Sequence, residues 1–136
     1  MKFQELLENR ENLDFMQIMQ EFLPMAMDEL GINVLPQFKL CTYVPDVEQP
    51  TFGRFDPDNN IIWLAIENRH PIDILRTLAH ELTHFRQGLR KELAPGSGQT
   101  GSPEENEAHE IAGIIMRNFG KRYPQYFKVS AVDLIG

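Results

Sequence analysis

Residues 80 to 84 of this 136-residue chain read His-Glu-Leu-Thr-His. On a helix, positions i and i+4 stand one above the other, so His80 and His84 offer two imidazoles to a single point. Neutral histidine nitrogens bind zinc at about 2.0–2.1 Å, and this spacing chelates the ion without distorting the backbone. Glu81 lies about 100° further around the helix. From there it reaches the water that a metal activates while staying off the metal, which is what a general base requires. With 4 histidines and 13 glutamates in the chain, independent placement gives this pattern about once in 100 chains of the same composition.

A catalytic zinc normally has three protein ligands and one open position. Glu104, Glu105, Glu107, His109 and Glu110 are the candidates for the third. An acidic first helical turn has a second explanation, because carboxylates there stabilise the helix dipole. Glu105 also stands three residues after Ser102, where a capping box would employ it. Glu105, Ala108, Ala112, Ile115 and Phe119 share one helical face, so Glu105 opens an inward-looking stripe. Spacing alone leaves Glu105, Glu107 and His109 open.

The elements that must position these residues follow from periodicity. Residues 3 to 30 carry apolar side chains at three- and four-residue spacing, which predicts a helix that Pro24 ends or kinks and Gly31 closes. Met16, Met19, Met25 and Met27 cluster there, either as gap-filling core or as a partner-binding groove. Phe38 to Val44, Phe52 to Phe55 and Ile61 to Ile66 read as strands, with turn chemistry at Asp56-Pro57-Asp58-Asn59-Asn60. A small, mostly antiparallel sheet of about three strands is expected. His70-Pro71 begins a helix that runs to about Lys91. Its Leu75, Leu78, Leu82 and Phe85 form one apolar stripe, and Thr77, His80, His84 and Gln87 a second on nearly the opposite side. That is the pattern of a helix lining a cleft.

Lys91 to Ser102 is rich in Gly, Ser and Pro and reads as a mobile loop at the rim of the site. A final helix spans Pro103 to Phe119, closed by Gly120, and the tail beyond it packs as a short arm. His70 is expected beside the helix start and off the metal. Trp63 is expected in the core or a cleft wall, and Cys41 as a small buried hydrophobe in a strand. Tyr43, Tyr123 and Tyr126 receive no role.

The two metal motifs resemble those of the gluzincin metallopeptidases. Residues 105 to 112, Glu-Asn-Glu-Ala-His-Glu-Ile-Ala, are similar to the ExEA(N/D)xxA signature of small phage- and mobile-element-encoded members. The likeness covers roughly residues 60 to 120. It implies a minimal zincin-like α+β fold, zinc as cofactor, Glu81 as catalytic base, and His80, His84 and Glu105 as metal ligands. Where these relatives carry Asp or Asn, this chain has His109, which either supports a ligand or binds the metal itself. A thermolysin-like register would make Glu107 the ligand, but it puts Ile111 where an aspartate is needed. The implied partner is a protein or peptide substrate, which gluzincins hold extended along an edge strand, here the 52–66 hairpin. Two other classes stay open: a catalytically silent zincin-fold binding or assembly protein, and a regulatory peptidase specific for one protein partner.

Composition narrows the field further. The length fits one domain over residues 1–136. A net charge of −7, with 20 acidic against 13 basic side chains, argues against sequence-independent binding to nucleic acid or anionic membrane. A lone cysteine cannot form an internal disulfide. No apolar run of about 18 residues is present, and the first 15 residues carry glutamates where a signal peptide needs an apolar core. A soluble, cytoplasmic setting is the expectation.

Overall fold

The computed structural model describes residues 10–45, 47–48, 50–90 and 101–128. Among them the fold is α+β, with four helices and a small three-stranded mixed sheet. Helix α1 (Arg10–Leu30) is followed by β1 (Gln37–Cys41), β2 (Gly53–Asp56) and β3 (Ile61–Ala65), then α2 (Pro71–Leu89), α3 (Pro103–Arg122) and the single turn α4 (Gln125–Lys128). Residues 3–9 of the expected first helix, most of the 91–102 loop and the last eight residues lie outside the described set.

Pro24 does not end α1, which continues to Leu30. Pro24 and Gln20, whose carbonyl loses its helical partner, both lie on the exposed face, where water can solvate that oxygen. Phe22, Ala26 and Leu30 are buried on either side of the proline and keep both halves on the core. Gly31, at φ 67°, terminates the helix in the left-handed conformation that glycine adopts without strain.

The sheet order is β1-β3-β2. β2 and β3 form the expected antiparallel hairpin, with the Asp56 carboxylate accepting hydrogen bonds from the backbone N–H groups of Asp58 and Asn59. β1 pairs with β3 in parallel, from Gln37 opposite Ile61 to Cys41 opposite Ala65, so the sheet is mixed and not mostly antiparallel. The reason is the long connection after Cys41. It carries the chain across the sheet, so the hairpin returns β3 into the space beside β1, running the same way.

Ile62 and Leu64 of β3 and Leu40 of β1 point to the helical side, where they join Phe15, Ile18 and Phe22 of α1 and Leu75, Leu78 and Leu82 of α2 in one core. α3 adds Ala112, Ile115, Met116 and Phe119. That helix runs through Gly120 to Arg122, beyond the expected stop, because Phe119 is buried among the rings of Phe22, Tyr123 and Tyr126. Met19 belongs to the core, whereas Met16 and Met25 pack on its rim. Trp63 and Cys41 are half-buried beside a second cavity of ≈ 780 Å³ between α1 and β1, away from the histidines. No helix among the described residues is long and apolar enough to cross a membrane.

Candidate metal centre

The His-Glu-Leu-Thr-His stretch sits in the middle of α2. His70 caps that helix, its Nδ1 accepting the Ile72 N–H at 3.0 Å, and Pro71 follows at the first helical position. The apolar stripe of Leu75, Leu78, Leu82 and Phe85 is fully buried. Thr77, His80 and His84 of the opposite stripe floor an open cleft of ≈ 1070 Å³, walled by β2 on one side and by His109, Ala112 and Gly113 of α3 on the other, whereas Gln87 is buried behind it.

α3 meets α2 at the histidines. Ser102 caps α3, its Oγ accepting the Glu105 N–H at 3.1 Å. The Glu105 carboxylate turns to the metal motif: Oε1 lies 2.8 Å from His80 Nε2, and Oε2 lies 2.9 Å from His84 Nε2. His80, His84 and Glu105 are thus close enough together to hold a metal ion. Ala108, Ala112, Ile115 and Phe119 are buried below Glu105, as its helical face requires. Glu107 points elsewhere, to Arg86 at 3.4 Å and to the Gln87 amide, whose Nε2 donates to it at 2.9 Å. That hydrogen bond, followed by the charge of Arg86, holds the Glu107 carboxyl below its ordinary pKa. His109 is 70% exposed, and its Nε2 lies 3.3 Å from Glu105 Oε1, with its ring 4.5 Å from that of His80.

The protons in this cluster can be placed by elimination. Gln87 is completely buried, and its neighbours on one side, the Glu104 carbonyl and the Glu107 carboxylate, can only accept hydrogen bonds. Its Nε2 must therefore face them, which leaves Oε1 facing His84 Nδ1 at 2.8 Å. His84 accordingly donates from Nδ1 and turns the lone pair of Nε2 toward Glu105. His84 Nε2 and the Glu105 carboxylate, 2.9 Å apart, are close enough for one cation to bind both. Donor separations of 2.8 and 2.9 Å are about half an ångström short of those in a tetrahedral zinc site. Two imidazoles and a carboxylate are also a donor set that zinc accepts. Burial holds His80 below its ordinary pKa, against the opposing pull of Glu105, and so favours the neutral ligand form.

Glu81 is 7% exposed and stands beside the cluster without joining it. Its Oε1 accepts the Phe55 N–H of β2 at 3.2 Å. Burial pushes its pKa up to about 7; His84 opposes this, and Glu105 adds to it. β2 comes this close to α2 because residue 53 is glycine. A Cβ there would lie 2.5 Å from Thr77 Cγ2 and 3.3 Å from Glu81 Cγ. Below that approach, Phe55 and Phe85 pack edge to face at 5.7 Å.

Sequence reasoning placed Gln87 on the cleft stripe without giving it a partner, and it missed Gly53 and the Phe55 N–H. Tyr43, Tyr123 and Tyr126 do not line this cleft. Comparison with protein-family models, with curated proteins and with solved structures finds nothing that matches this chain.

Proposed function

We propose that this protein is a zinc-dependent peptidase, with His80, His84 and Glu105 as ligands and Glu81 as general base. The observation that carries the reading is the convergence of two imidazole Nε2 atoms and one carboxylate at the floor of an open cleft, next to a buried glutamate that none of them engages. The resemblance of both motifs to the gluzincins supports it.

When bound, zinc supplies Lewis acidity, polarising a carbonyl and lowering the pKa of water. The remaining chemistry belongs to Glu81. Phe55 holds its Oε1, so Oε2 takes the proton from the attacking water and later returns it to the leaving amine nitrogen. Burial raises the pKa of the Glu81 carboxyl in the metal-free protein, which makes it a stronger base than an exposed carboxylate. β2 is an edge strand beside the cleft, and an extended peptide would lie along it.

The test combines elemental analysis with casein digestion. About one zinc per chain is expected, with casein cleavage that falls about 100-fold or more in Glu81→Gln. Dialysed protein with no zinc and no thermal shift on adding it would overturn the metal reading. A Glu81→Gln variant as active as wild type would remove Glu81 from the chemistry.

A further inference from the structure

We propose that Gln87 is a positioning residue for the metal centre: it commits His84 to ligation through Nε2 and sets the distance of the helix that carries Glu105. The inference rests on the reading of His80, His84 and Glu105 as ligands. Gln87 stands one helical turn beyond His84 and is fully buried, a position where an amide is tolerated only if its hydrogen bonds are made. Its three bonds all concern this site. Oε1 accepts from His84 Nδ1 at 2.8 Å, and Nε2 donates at 2.9 Å both to the Glu104 carbonyl and to Glu107 Oε1.

These bonds have two separable effects. The acceptor fixes which imidazole nitrogen carries the proton, so that the lone pair on Nε2 faces Glu105. The donors grip the first turn of α3 at the residue immediately before Glu105, tying the two ligand-bearing helices together through one side chain. Partners that orient a ligating histidine typically contribute 10–100-fold to metal affinity. Glu107 has its place in the same arrangement, as an anchor of Gln87 and not as a ligand.

Zinc affinity, measured by competition with a chromophoric chelator on folded protein, separates this role from mere packing. Gln87→Met keeps the side-chain volume and removes every hydrogen bond, and it should bind zinc about 10–100-fold more weakly. The pair Gln87→Glu with Glu107→Gln restores an acceptor for His84 and reverses the bond between positions 87 and 107. It gives His84 back its acceptor but leaves a carboxylate oxygen against the Glu104 carbonyl, so it should bind zinc more tightly than Gln87→Met and more weakly than wild type. Gln87→Met with wild-type affinity would overturn the proposal, as would a double variant no better than the single one.

Nitrogen-15 NMR of the wild-type histidines supplies a reading that needs no variant to fold. His84 should show a protected Nδ1–H in metal-free and zinc-loaded protein, and a proton on Nε2 with metal at Nδ1 would refute the assignment. Wild-type protein that binds no zinc would sink the proposed function. The metal-free spectrum would still decide the tautomer.

Discussion

Replacing Glu81 by Gln should change the pH dependence of folding stability in the metal-free protein, and the size of the change follows from burial. The Glu81 carboxyl is raised from 4.5 to about 7 in the folded protein, chiefly because ionisation there lacks the solvation it has in the unfolded chain. Between those two values the folded state binds more protons than the unfolded one, so stability falls as pH rises. The contribution is fully present below about pH 4.5 and is lost as pH climbs through about 7. A shift of this size corresponds to about 3 kcal/mol. Glutamine cannot ionise, yet its Oε1 can still accept the Phe55 N–H, so the variant should lack this loss.

The assay is urea unfolding of both proteins in a strong chelator between pH 4.5 and 8.5. Stability of the variant minus that of wild type should rise by about 3 kcal/mol across the range. His80 is depressed by burial and changes stability in the opposite sense, but it is common to both proteins and drops out of the difference. Two parallel curves would show that Glu81 is not buried as a charge-averse carboxyl, and the account of its basicity would fail with it.

Gly53→Ala should destabilise the protein by about 1–3 kcal/mol, because its methyl group meets Thr77 Cγ2 inside contact distance. Thr77 cannot simply turn away, since its Oγ1 donates to the Asp73 carbonyl and accepts from Arg69. Adding Thr77→Ser, which deletes that methyl and keeps the hydroxyl, should recover most of the loss in chemical denaturation; no recovery would place the strain elsewhere. Glu105→Gln should weaken zinc binding by more than about 100-fold, beyond the usual effect of an outer partner, while Glu107→Gln should leave the metal bound. The reverse pattern in chelator competition would make Glu107 the ligand.

Local spacing made much of the site readable. His80 and His84 share a helical face by arithmetic alone, and the stripe from Ala108 to Phe119 showed which side of α3 looks inward. The structure places Glu105 at the head of that stripe, against both histidines. Residues whose purpose depends on distant partners were not readable. Gln87 meets groups 17 and 20 positions further along, and Gly53 meets a helix that begins 18 residues later. The parallel pairing of β1 with β3 was hidden for the same reason, because strand order is a property of the long connection and not of either strand. At Pro24 and Gly120 the local rule was sound but tertiary packing overrode it, through the buried residues of α1 and the aromatic cluster around Phe119.

A three-stranded sheet has one interior strand and two edges, and both edges of this one risk recruiting strands from other molecules. They are short, five residues in β1 and four in β2. Lys39 and Arg54 stand directly across from Trp63, one on each edge, so a charged side chain borders the only tryptophan from either direction. On β2 the Phe55 N–H is already occupied by Glu81. The same carboxylate that is positioned for chemistry therefore also takes up one hydrogen-bonding position on the edge along which a peptide would lie.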